Sequence, residues 1–142
     1  DMANAFLPNP AMGAAFAQDL TPEQMAGFAA ACLAPDSPLD LAPFVADIAR
    51  TDGRARATMA ASIAPDGYQD EVEIVRNLQR PLAILHGEHE QLVNADYISG
   101  LEMPTLWRGA VQIVPGAGHT PQTETPEAFS ALLSAFVDEV TG

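Results

Sequence analysis

PLAILHGEHEQLV, residues 81–93, decides the fold. It opens as a short unbroken apolar run, Pro81 to Leu85, with proline at its start and His86-Gly87 after it. Apolar and polar residues do not alternate in it, so the run fits a strand buried on both faces of a parallel sheet rather than one with a wet face. A second run, Ala110-Val111-Gln112-Ile113-Val114, stops at Pro115-Gly116. Asn94 to Ser99 is predicted as a helix between them. After the second run Thr125 stands as a helix cap with Pro126 at the first helical position, and Phe129, Leu132, Leu133, Phe136, Val137 and Val140 recur on one face. The order strand, helix, strand, helix is a right-handed βαβ unit with a closing helix.

Upstream of this unit the chain is helical and rich in alanine. Residues 1–20 carry Pro8, Pro10 and Gly13 among large apolar side chains and are expected to be irregular. Thr21-Pro22-Glu23-Gln24 offers an N-cap, a proline at the first helical position and a capping-box Gln, and Met25, Phe28, Cys32 and Leu33 then share a face. A second helix is expected through Phe44, Val45 and Ile48 to near Thr51, and a third from Arg54 to about Ile63. Asp66-Gly67 reads as a turn, and Asp70 to Leu78 as a further helix. The boundary is drawn between a helical segment, 1–70, and the α/β part, 71–142. Two parallel strands do not make a stable sheet, which usually needs at least three strands and cover on both faces. The chain also opens on Asp1 rather than an initiator methionine. The rest of the sheet is therefore expected from an upstream portion of the same gene product.

Composition narrows the partners. Hydrophobic residues at 48% and charged ones at 18% describe a chain that builds a core. Six Arg, no Lys and 19 acidic residues give a net charge of −13. Such a surface repels phosphate backbones and anionic lipid, so neither nucleic acid nor membrane is expected as a partner. No apolar run reaches the ~20 residues of a membrane span, and no signal-peptide pattern is present. The single cysteine, Cys32, has Ala and Leu neighbours and reads as a small core residue; it fits a reducing cytoplasm.

Catalytic groups in parallel α/β sheets gather at the carboxyl ends of strands. Here those ends are His86-Gly87-Glu88-His89-Glu90 and Pro115-Gly116-Ala117-Gly118-His119. An acid from the first turn and the imidazole from the second would meet as a general base and the group that orients it. His86 and His89 with the two Glu are a poor metal set, because groups so close on one turn rarely reach tetrahedral geometry, and no metal is expected.

The sequence Gly87-x-x-Glu90-x-x-Val93, a helix, a strand, Gly116-x-Gly118-His119 and a helix beginning Thr125-Pro126-Glu127-x-Phe129 resembles the C-terminal portion of an α/β-hydrolase over roughly residues 80–140. The resemblance implies two parallel strands of a larger sheet preceded by a helical cap segment, His119 as general base and Glu90, rather than Glu88, as the acid. It also implies that Glu124 orders the histidine turn. No serine here lies in a Gly-x-Ser-x-Gly turn, so the Ser nucleophile and the oxyanion hole are expected on the upstream portion, with no cofactor needed.

The segment Asp47 to Arg56, the turn Gly87-Glu88-His89-Glu90 and Leu106-Trp107-Arg108-Gly109 further resemble the metal-independent N-acyl-homoserine lactonases of this fold. That likeness implies opening of a quorum-sensing lactone. A carboxylesterase, a carbon-carbon bond hydrolase or a non-catalytic small-molecule binding protein on the same scaffold are the alternatives. Met25 and Phe28, with Met12 and Met59, are candidates for an acyl-chain pocket as well as for ordinary packing. Trp107 is read as packing, and Arg50, Arg54 and Arg56 as partners of surface carboxylates.

Overall fold

The computed structural model describes residues 2–64 and 67–142. The two strands are β1 (Leu85–Gly87) and β2 (Gln112–Val114), parallel, in the register Leu85↔Gln112, His86↔Ile113 and Gly87↔Val114. Of the predicted first strand only Leu85 lies in β1, which runs on through His86 and Gly87 instead. The earlier part of that run is drawn to another segment. Leu82 N–H donates to Thr105 O at 3.0 Å and Leu82 O accepts from Trp107 N at 2.7 Å, a parallel bridge that leaves only Ile84 O to begin the ladder with Gln112 N. The second strand is shorter than its apolar run by two residues at the start.

Helices precede and flank this pair. Residues 1–20 are less irregular than expected, with α1 (Met2–Ala5) and a 3-10 helix at Pro10–Ala15 whose first turn is capped by the Asn9 side chain on Ala11 N. Their lack of apolar periodicity hides them from a pattern reading. The helix α2 (Pro22–Ala31) starts on the predicted capping box, with Thr21 Oγ1 on Gln24 N and Gln24 Oε1 on Thr21 N. Next come α3 (Ala42–Arg50), α4 (Gly53–Ser62), started by the Asp52 carboxylate on Arg54 N, and α5 (Glu71–Asn77), started by Asp70 on Val72 N. The turn expected at Asp66-Gly67 lies in part outside the described residues. Between the strands is α6 (Ala95–Ser99), capped by Asn94.

After β2 come α7 (Pro121–Glu124), unexpected from the sequence because one turn shows no period of its own, and α8 (Pro126–Thr141). Thr125 does not cap α8 with its side chain. Its hydroxyl is turned back to Pro121 O at 3.4 Å because α7 has already claimed that residue as its end. Before β2, Trp107 is buried, meets Phe136 of α8 edge-on at 5.5 Å and donates from Nε1 to Glu139 Oε2 at 2.7 Å. Arg108 adopts φ 56°, a backbone state unfavourable for a side-chain-bearing residue, and is held there by stacking 4.2 Å over Trp107 and by pairing with Glu139.

The best-buried residues are Ala29 on α2 and Leu33, Leu92, Val114 and Ala117, the last four from the segments that flank the two strand ends. Burying side chains such as Leu33 and Val114 contributes roughly 1.5–3 kcal/mol each. The apolar face of α8 is only partly covered. Phe129, Leu132 and Phe136 are half-buried, but Leu133 and Val137 are 46% and 47% exposed, and Ile113 of β2 is exposed as well. Each strand has one edge without a strand partner among the described residues. No described helix is long and apolar enough to cross a membrane.

Candidate active site

The turns that leave β1 and β2 stay paired beyond the strands. Glu88 N–H donates to Val114 O at 3.0 Å and His89 N–H to Ala117 O at 2.8 Å. So close an approach needs Gly87, because a Cβ there would lie 2.0 Å from Gly118 O and 2.5 Å from Ala117 O. This packing brings Glu90 and His119 together. His119 Nδ1 is 2.7 Å from Glu90 Oε2. A carboxylate only accepts, so Nδ1 carries the hydrogen and the neutral ring keeps its lone pair on Nε2. Glu90 is 6% exposed in its side chain and His119 42%, so the acid is covered while the ring opens outward.

Glu90 is held on its other oxygen too. Oε1 accepts Leu92 N at 2.7 Å and Val93 N at 3.3 Å. Burial alone would raise its carboxyl. The His119 hydrogen bond, the Leu92 and Val93 amides and the nearby imidazole outweigh that and hold it below the ordinary range. His119 moves up from its ordinary value, chiefly through the Glu90 hydrogen bond and further through the charge of that carboxylate, against the opposing effect of burial. The pair has the chemistry of a base whose tautomer and protonated form are both fixed by an acid.

Glu88, the rival acid, points elsewhere, with Oε2 accepting Gly116 N at 2.9 Å. The two other histidines diverge. His86 is buried between the carbonyls of Gly87 and Val93, 2.9 and 3.3 Å away, and braces the two ends of the acid turn, whereas His89 is exposed. Among the described residues no group of three or more His, Cys, Asp or Glu is gathered as a metal site requires. The Cys32 thiol is pushed up by burial and then by the charge of Glu90, which keeps it protonated and poorly nucleophilic.

Glu124 Oε2 accepts Gly118 N at 2.8 Å and Oε1 accepts Ala34 N at 2.7 Å, so it binds the histidine turn to the chain that follows α2. Gln91, which reaches Leu33 O at 2.7 Å, and the N-terminal stretch beside the acid turn carry no sequence signal for these roles. Leu7 N–H donates to Leu92 O and Asn94 N–H to Ala5 O, both at 2.9 Å. Contacts spanning 58 or more residues leave no local pattern.

A cavity of about 340 Å³ lies among the helices, walled by Ala15, Phe28, Ile48, Thr51 and Met59 with Asp47 and Arg56 at its side. Phe28 and Met59 line it, and Met25 and Met12 do not. Arg56 is not paired with a carboxylate as expected but donates to the carbonyls of Ala17 and Gln18; Arg50 and Arg54 do pair, with Asp47 and Asp52. A smaller cleft of about 210 Å³ runs between Ala34 to Pro38 and the strand-end residues His89 and Gly116. Neither Glu90 nor His119 lines either space.

No family model and no curated protein matches this chain. Solved structures do. A variant of the N-acyl homoserine lactonase AidH complexed with N-hexanoyl homoserine lactone matches 96% of the chain with a TM-score of 0.87 at 29% identity. The chain has the fold of the C-terminal part of an α/β-hydrolase. AidH complexed with N-butanoyl homoserine gives a TM-score of 0.80 at 28% identity over the same share. The carboxylesterase CesB from Bacillus subtilis, at 19% identity, a TM-score of 0.64 and 94% of this chain, shares the hydrolase fold. This chain spans about half the length of these solved chains, 49% of AidH and 46% of CesB.

Proposed function

We propose that this chain is the acid-and-base half of a serine-type hydrolase that opens an ester or lactone, with N-acyl-homoserine lactone as the leading substrate. The observation that carries the reading is the 2.7 Å bond from His119 Nδ1 to Glu90, with Nε2 left without a partner among the described residues. His119 Nε2 takes the proton of a serine hydroxyl as that oxygen attacks the carbonyl carbon. Glu90 stabilises the imidazolium, which then returns the proton to the departing alkoxide of the ring. Water, deprotonated by the same nitrogen, releases the acid.

The serine and the oxyanion hole are assigned to an upstream portion of the hydrolase. Support comes from the open strand edges, from the exposed Ile113, Leu133 and Val137, and from the half-length match to AidH. Residues 1–70 are assigned as the cap. Its cavity, walled by Phe28, Ile48 and Met59, is apolar and of a size at the lower end for small-molecule sites, and is proposed for the acyl chain. Met25 lies on the same helix as Phe28 but outside the cavity's lining.

The test is turnover by the intact enzyme of N-hexanoyl homoserine lactone against a simple aryl ester, following the ring-opened acid by mass. Preferred opening of the lactone supports the reading. Ester cleavage alone would make it a carboxylesterase, and His119→Ala that still turns over would remove the base.

A further inference from the structure

The strand-end amides hold the acid and histidine turns together on one side only, close to the sheet. On the far side the two turns share a different anchor. The helix α2 ends at Ala31, and the backbone itself closes its end, with Cys32 N on Phe28 O and Ala29 O and Leu33 N on Ala30 O. The carbonyls of the turn that follows, and Ala30 O a second time, accept side chains from the two turns that carry Glu90 and His119. Gln91 Nε2 donates to Leu33 O at 2.7 Å and Ala30 O at 3.2 Å, and Thr120 Oγ1 donates to Cys32 O at 3.1 Å. From the histidine side, Glu124 accepts both Ala34 N and Gly118 N. Gly118 lies so close to this turn that a Cβ would sit 2.4 Å from Ala34 N and from Leu33 C. Leu33 and Ala34 are themselves buried at 2% and 7% exposure, so the turn is a fixed point.

We infer that Gln91 is a positioning residue for the dyad: it ties the acid turn to the Ala30–Ala34 turn, to which Thr120 and Glu124 tie the histidine turn. Glu90 is the next residue to Gln91, and His119 lies between Gly118 and Thr120, so a shift at this turn moves both partners of the 2.7 Å bond. Gln91 acts through Glu90 and touches no reacting atom. The consequence for turnover rests on the hydrolase reading; the geometric role does not.

The experiment uses the intact enzyme and compares Gln91→Met, which keeps length and loses both donors, with Thr120→Val and with the unsubstituted protein. The first readout is the titration of the His119 ring by ¹H–¹⁵N correlation NMR. It senses Glu90 directly and requires no substrate. Gln91→Met is expected to lower the ring's midpoint toward the ordinary value of 6.5, with Thr120→Val shifting it the same way by less. In turnover, kcat is expected to fall about 10- to 100-fold with KM within about two-fold, as for a misplaced rather than missing group. An unchanged midpoint in Gln91→Met would overturn the inference, whatever Thr120→Val does and whatever the melting temperatures. A lowered midpoint in an enzyme that opens no lactone or ester would keep the positioning role and sink the hydrolase reading.

Discussion

Glu88 and Glu90 stand two positions apart on one turn and have different tasks: Glu90 Oε2 accepts from His119 Nδ1 at 2.7 Å, while Glu88 Oε2 accepts Gly116 N at 2.9 Å. Their spacing puts them on different sides of the loop, so only Glu90 meets the imidazole.

Glu90→Gln and Glu88→Gln therefore separate cleanly. With Gln at position 90 the amide oxygen keeps the Leu92 and Val93 contacts, but its NH₂ then faces Nδ1 and forces the hydrogen onto Nε2. A fall in kcat on the order of 10³- to 10⁴-fold is expected, as for a triad in the wrong tautomer. Glu88→Gln keeps an acceptor for Gly116 and should retain most turnover. Steady-state kinetics on the intact enzyme checks both, and the reverse ranking would hand the acid role to Glu88.

The pH dependence follows from the same pair. His119 must be neutral to take a proton, and its midpoint lies above the ordinary 6.5, so the acidic limb of kcat/KM is expected to lie above that value. Stability runs the other way. The raised histidine contributes stability that is fully present below its unfolded value and lost as pH rises through its folded one. The lowered Glu90 contributes above its unfolded value and loses that contribution as pH falls through its folded one. Thermal melts across pH should show the pair most stabilising where turnover is still suppressed.

Gly87→Ala would place a methyl group against the carbonyls of Gly118 and Ala117. Those atoms are backbone and cannot swing away, so the turns must part. Overpacking of this kind costs about 1–3 kcal/mol, and turnover should fall further than that cost alone explains. Denaturant titration and kinetics on one preparation measure both; a variant with unchanged activity would show the two turns to be freer than their hydrogen bonds indicate.

Thr21→Ala removes the capping box at the far end of α2. A loss of about 1 kcal/mol is expected. Because the other end of the helix is pinned at Leu33 and Ala34, kcat should hardly change, which equilibrium unfolding and kinetics together would check.

Much of this arrangement is legible in the sequence because it is local. The spacing Gly87 to Glu90, the Gly118-His119 pair and the Thr21 to Gln24 box are each written within a few residues, and the structure forms each of them. The strand expected at 81–85 lies instead at Leu85–Gly87 because an apolar run does not say which neighbour it will bond, and Leu82 bonds the 105–107 segment. Thr125 reads as a cap by residue type, yet α7 occupies its hydroxyl. Gln91 could not be distinguished from any loop glutamine, since its meaning lies at Leu33.

The first few residues run beside the acid turn, with Ala5 and Leu7 bonded to Asn94 and Leu92. Closing a loop of some 85 residues is entropically costly and kinetically slow compared with forming α2 or α8. Helices can assemble early, but the turn that presents Glu90 gains its outer wall only once the two ends of that long loop have found each other. The wall around the Glu90 turn is thus expected to close late in folding, after the helices have formed.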